Sequence, residues 1–146
     1  MGKAVYSEER HVPKLAVLAF KYPHAIVTMY SAFYLHGLTG YDLATDRNAA
    51  KIPDDRVNQY FIPSHFLNQG AQIMMYKGYS IRIYGKERML VELLRYKSKL
   101  SFDYYKEFLL NYRKILPQLN IQEIQDYAME APKSSKIMET LQMEVM

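Results

Sequence analysis

YSIRIYGKERMLVELLRYK, residues Tyr79–Lys97, changes its hydrophobic period partway along, and that change decides the fold. As far as Tyr84 the pattern alternates: Ile81 and Ile83 fall on one side of an extended backbone, Ser80 and Arg82 on the other. A period of two predicts a strand with one buried face. Beyond Gly85, Met89, Leu90, Leu93 and Leu94 recur at helical spacing, with Glu87, Glu92 and Arg95 expected at outer positions. A strand that runs through a glycine into an amphipathic helix predicts a sheet with a helix laid on or beside it.

Working outward, Ala71–Tyr76 is a second apolar strand, joined to the first by Lys77-Gly78, a hairpin signal with a glycine free to take a positive φ. Val57–Ile62, Tyr41–Thr45 and the short Ala25-Ile26-Val27 read as further strands. Pro63-Ser64 opens a helical turn through Leu67, with Gly70 as its stop. Pro13 starts a short amphipathic helix carrying Leu15, Leu18 and Ala19, which ends before Tyr22-Pro23. Thr28 is placed to cap a helix from Met29 to His36, closed by Gly37. Residues 1–12 read as an extended arm, with Ala4-Val5-Tyr6 as an edge strand.

After Lys97 the chain is helical to its end. Ser101 caps a helix from Phe102 to about Leu116 with Tyr105, Phe108, Leu109 and Tyr112 inward, and Pro117 stops it. Asn120 caps the next, striped by Ile121, Ile124, Tyr127 and Ala128. Pro132 breaks the chain before a last helix facing inward through Ile137, Leu141 and Val145. The expectation is an α/β (α+β) fold: a small mixed sheet flanked by helices, followed by a helical C-terminal part. Residues 1–146 are read as one domain, with 102–146 its helical tail.

The 146 residues are enough to bury a sizeable core, and 49% are apolar, which argues against disorder. Cysteine is absent, which excludes disulfides, thiolate metal sites and cysteine nucleophiles. No apolar run approaches the length of a membrane span, so the expectation is a cytoplasmic protein without membrane attachment. The net charge of +4, from 19 basic and 15 acidic residues, is a modest excess that suits solubility as well as nucleic-acid binding. Fourteen tyrosines with no tryptophan point to a core or interface that wants large side chains with a polar tip.

Catalytic chemistry has little to stand on. His11, His24, His36 and His65 lie in separate segments, and none pairs at the i, i+4 spacing of a helical metal site. Asp42, Asp46, Asp54 and Asp55 gather around one loop region, where oxygen ligands would suit a divalent cation. Arg47, Lys51 and Arg56 are interleaved with them, however, and the spacing fits no calcium loop. The glycines build no phosphate cradle, and no serine sits in a nucleophile elbow. The reading is therefore of no catalytic residues, no cofactor and no metal. The suggestive feature is basic: Arg82, Lys86, Arg88, Arg95, Lys97 and Lys99 crowd the central helix and its flanks, with Tyr96 among them. Such residues on one face would contact phosphates or an acidic partner. The competing reading is a solvated helix face on which Glu87 and Glu92 offset the charge.

The order and spacing of these segments carry a resemblance. YPHAIVTMYSAFYLHGL (Tyr22–Leu38), GYSIRIYGKERMLVELLRYKSKL (Gly78–Leu100) and the helical tail resemble the C-terminal domain of AbiEi-type antitoxins, which belong to type IV toxin–antitoxin (abortive phage infection) operons of bacteria. The most specific pieces are Ser31-Ala32 with His36-Gly37-Leu38, and Lys86-Glu87-Arg88 before an apolar helix ending in Leu94-Arg95-Tyr96. The likeness spans nearly the whole chain. It implies a non-enzymatic transcriptional regulator that represses its own operon and counteracts a nucleotidyltransferase-like toxin, conferring phage resistance. In the family, an N-terminal winged helix carries much of the DNA contact. Here Ala4-Val5-Tyr6 resembles the end of that module's last strand, so the expectation is the second domain without the winged helix, from a fragment or a short natural form. Weak DNA contact through the basic face follows, and a homo-oligomer is admitted. The alternatives carried forward are a metal-dependent enzyme of nucleic-acid metabolism and a general protein-interaction module.

Overall fold

A computed structural model describes residues 12–29 and 41–146. The arm, the helix from Met29 to His36, and the Ser31-Ala32 and His36-Gly37-Leu38 pieces fall largely or wholly outside the described residues. In chain order the elements are α1 (Lys14–Lys21), β1 (Ile26–Val27), β2 (Tyr41–Asp46), β3 (Val57–Ile62), α2 (Ser64–Leu67), β4 (Ala71–Tyr76), β5 (Tyr79–Tyr84) and α3 (Lys86–Arg95). A 3-10 turn at Lys97–Lys99 leads to α4 (Phe102–Ile115), α5 (Ile121–Glu130) and α6 (Ser134–Thr140), which winds on through Leu141–Val145. The fold is α+β, as the alternation of periods predicts.

The five strands lie in the order β3-β2-β1-β5-β4. β1 pairs antiparallel with β2 and parallel with β5, which makes the sheet mixed. β4 and β5 form the hairpin, with Tyr76 opposite Tyr79. Its two loop residues, Lys77 and Gly78, have φ of 50° and 87°. Two positive φ values in succession match the twist of the flanking strands, and glycine at the second removes the Cβ penalty. β2 and β3 are parallel over six pairs, from Tyr41–Val57 to Asp46–Ile62. The chain must therefore cross over between them without a helix. Gln59 ties that crossover down: its amide donates to Thr45 Oγ1 at 2.8 Å and to the Ala50 carbonyl at 3.1 Å, while its Oε1 accepts from the Ile52 N–H at 2.8 Å.

Apolar side chains leave both faces of the sheet. On one, Val27, Leu43, Ile81 and Ile83 pack with Leu15 and Leu18 of α1 and with Ile52 of the crossover. On the other, Ile26, Ala44, Ile62 and Tyr84 meet Phe66, Leu67 and the apolar stripe of α3. Helices α4 to α6 cover the rest of α3, through Tyr105, Phe108, Leu109, Tyr112, Ile124, Ala128, Ile137 and Leu141. Their caps form as the sequence suggests: Ser101 Oγ accepts from the Tyr104 N–H, and Asn120 Oδ1 from the Glu123 N–H.

α3 departs from its expected faces. Glu92, read as an outer residue, is fully buried, and so is Arg88. The reason is that α3 is covered on nearly every side, by the sheet, by α2 and by the C-terminal helices, so only its two ends are left for solvent.

Candidate nucleic-acid interface

The six basic residues expected to form one face are dispersed by the fold. Arg88 is withdrawn from it altogether. Its side chain has 0% exposure, and Nη1 donates to the carbonyls of Phe66 at 2.7 Å and Gln69 at 2.5 Å, while Nε donates to Glu92 Oε2 at 3.1 Å. The guanidinium lies between two rings, its carbon 3.5 Å from the Phe66 centroid and 4.2 Å from that of Tyr84. The aromatic faces offset part of the cost of burying the cation, and Nη2 makes no hydrogen bond among the described residues. This arginine is a clamp on the loop after α2. Tyr84 joins it by donating its hydroxyl to the Leu67 carbonyl at 2.5 Å.

Gly70 closes the same loop. Its φ is +80°, and a Cβ there would stand 2.5 Å from the Cβ of Arg88, so loop and helix approach more closely than a side chain allows. Gly85, the glycine through which the strand runs into the helix, has φ −70°, open to any residue. What crowds Gly85 is the end of the flexible Gln72 side chain.

Arg95 is also spoken for. Its Nη1 donates to both oxygens of Glu92, at 2.7 and 2.8 Å, and its side chain is 11% exposed. Burial opposes its charge, but the Glu92 carboxylate outweighs that and keeps its pKa above the usual arginine value. Glu92 thus shares its one negative charge between two arginines. Arg82 donates to Asn68 Oδ1 at 3.0 Å and to the His24 carbonyl at 3.4 Å. Lys86 is exposed but starts α3, roughly 14 Å along the helix axis from Arg95 at the rise of an α-helix. No continuous face contains all six.

What the fold builds instead is a cleft of about 610 Å³ where the end of α3, the 3-10 turn and the start of α4 face the turn between α5 and α6. Its floor includes Leu94, Tyr105 and Ile137, all buried. Its exposed lining carries Lys97 and Lys99 from the 3-10 turn, Lys133 and Lys136 from the start of α6 and Phe102 from the start of α4, while Arg95 is largely buried. Among the described residues no aspartate or glutamate lines it; Asp103 and Glu139 lie close in sequence yet outside its wall. Lys97 is held by Glu144, Nζ to Oε2 at 2.5 Å, and sits over the Tyr105 ring at 5.2 Å from its centroid. Glu144 also accepts from the Tyr105 hydroxyl at 2.6 Å. Burial pushes the Glu144 carboxyl upward, but the hydrogen bonds from Lys97 and Tyr105 prevail and hold it below its ordinary value. Lys99, Lys133 and Lys136 have no ion-pair partner among the described residues.

Lys133 and Lys136 were not among the expected contacts, nor was Phe102. The three-residue spacing of the two lysines at a helix start is their only local signal. Nothing local pairs them with Lys97 and Lys99.

The aspartates do not converge. Asp42 is buried and accepts from Asn58 Nδ2 at 2.9 Å. Asp46 accepts from Ser64 Oγ at 2.5 Å and from the Asn48 N–H at 2.9 Å, hydrogen bonds that lower its pKa. Asp54 pairs with Lys14 at 2.7 Å and accepts from the Arg56 N–H, with the same effect. Among the described residues no group of three histidines or carboxylates is arranged to hold a metal ion. His65 Nε2 lies 3.2 Å from the Glu130 carbonyl, His24 is exposed, and His11 and His36 are outside the described residues. No described helix is long and apolar enough to cross a membrane.

Fold and cleft together define a class: an α+β protein with a cation-rimmed, aromatic-mouthed groove between its central helix and its C-terminal helices. No protein-family model matches the sequence, and no curated protein matches it either.

Proposed function

We propose that this chain is a non-enzymatic antitoxin-type regulatory domain, acting in the bacterial cytoplasm, that counteracts a nucleotidyltransferase-like toxin and assists repression of its own operon by touching DNA phosphates. The antitoxin part rests on the resemblance of Tyr22–Leu38 and Gly78–Leu100 to the AbiEi family. The phosphate part rests on one observation: among the described residues the wall of the cleft holds five basic residues and no acidic one, and three of those lysines have no carboxylate partner there.

The size of the effect follows from the count. Three lysines neutralising three phosphates on duplex DNA predict a salt slope of about −2.7, which is a loss of about 40-fold between 50 and 200 mM salt. Contacts of this kind read no bases, so operator and scrambled duplexes bind alike. Fluorescence anisotropy with both duplexes is the test. Lys99→Glu, Lys133→Glu and Lys136→Glu together weaken binding on every sequence and flatten the slope. Arg82→Glu with Lys86→Glu, away from the cleft, leaves both nearly unchanged. Strong operator preference, or indifference to the triple reversal, overturns the phosphate reading. The antitoxin reading is tested separately, by co-expression with the nucleotidyltransferase-like reading frame expected beside the gene. Growth arrested by that toxin is expected to resume, and continued arrest overturns it.

A further inference from the structure

A row of duplex phosphates can be met by lysines on a convex surface; it has no use for a groove with an apolar floor. This groove has one, in Leu94, Tyr105 and Ile137, and its volume of about 610 Å³ is the size of a small-ligand site. At its mouth stands Phe102, an aromatic ring left 72% exposed at the first turn of α4. Cations around a groove with an aromatic platform at its entrance are the parts single-strand binders use: the charge follows the backbone and the ring stacks a base. We infer that the cleft between α3–α4 and the α5–α6 turn binds single-stranded nucleic acid, with an unpaired base against Phe102 and the adjoining phosphates on Lys99, Lys133 and Lys136.

The inference rests on the proposed phosphate contact and adds the unpaired base. The geometry divides the labour. The lysines of its lining come from two segments, Lys99 from the 3-10 turn and Lys133 and Lys136 from the start of α6, whereas Lys97 is restrained by Glu144 and Arg95 by Glu92. Stacking needs a free ring face, which a base within a duplex does not offer. The strand form is therefore preferred, and the preference resides in Phe102.

The experiment uses the full chain with four probes in anisotropy and competition: a labelled twelve-nucleotide deoxythymidine strand, a mixed-sequence single strand, its duplex, and free nucleoside triphosphate as competitor. Both single strands are expected to bind more tightly than the duplex. Phe102→Ala is expected to weaken the single strands by about 5- to 150-fold, the equivalent of ~1–3 kcal/mol for one stacked base, and to leave the duplex unchanged. Phe102→Tyr, which keeps the ring, restores strand binding. The triple lysine reversal weakens every form. Because the Phe102 ring is largely outside the core, circular dichroism is expected to show Phe102→Ala folded as the parent. Equal affinity for strand and duplex, or no effect of Phe102→Ala, overturns this inference while leaving the phosphate reading standing. A triphosphate that competes as well as a strand overturns it too, by making the site one for a mononucleotide. Binding of none of the four probes overturns both.

Discussion

Glu92 is the residue on which the centre of the protein balances, since it is the counter-charge of both Arg88 and Arg95. A buried ion pair adds little net stability over a well-packed apolar substitute, but removing one partner strands the other. Glu92→Ala is expected to destabilise the protein by about 3–5 kcal/mol in urea denaturation, because it leaves one arginine wholly uncompensated in the core. Glu144 gives a pH signature of opposite character. Its folded pKa lies below the ordinary 4.5, so its contribution is present above that value and is lost as pH falls through the lowered one. Urea midpoints measured from pH 5.5 down to about 3 are expected to fall more steeply for the parent than for Glu144→Gln. The same substitution, made at neutral pH, releases Lys97 from its carboxylate and is expected to tighten strand binding at low salt.

Among the elements, α3 carries the packing and β4 the exposure. Leu93 is fully buried on α3, so Leu93→Ala is expected to cost about 2–5 kcal/mol, read from chemical denaturation. A cost below about 1 kcal/mol would mean that the helix is not held as described. β4 is an edge strand that pairs with β5 alone among the described residues, and its outward side chains Ile73 and Met75 are 76% and 62% exposed. An apolar edge invites pairing with other chains, and a lysine there discourages it. Ile73→Lys is expected to leave stability within about 0.5 kcal/mol of the parent while lowering turbidity on heating.

Over the full molecule, sheet and C-terminal helices are coupled through α3, and the cleft spans that junction. A ligand that bridges α4 and the α5–α6 turn binds the folded chain and not the unfolded one. At one hundred times its dissociation constant a single strand is expected to stabilise the fold by ~2.7 kcal/mol, raising the melting temperature by roughly 5–10 °C for a chain of this size. The Phe102→Ala protein is expected to melt as the parent does without ligand and to gain less with it. Calorimetry with magnesium, manganese and zinc is expected to give no stoichiometric binding that Asp42→Ala or Asp46→Ala removes, since these carboxylates are engaged apart from one another.

The periods in the chain were enough to locate the strands, the helices after Gly85 and their caps, because both periodicities arise from local backbone geometry and recur within a few residues. Ser101, Asn120 and the Lys77-Gly78 turn act on neighbours three residues away or fewer, so they too could be read directly. The fate of the charged residues could not. Arg88 and Glu92 look like surface residues until Phe66, Gln69 and Tyr84 arrive from elsewhere in the chain to supply carbonyls and ring faces. The spacing of basic residues along one helix holds the charge pattern in one dimension only. Folding buried part of it, paired another part, and brought Lys133, Lys136 and Phe102 to Lys99. Short-range order is written in spacing, but burial and the meeting of like charges depend on which distant segments pack together, and that is set by complementary shapes across the core.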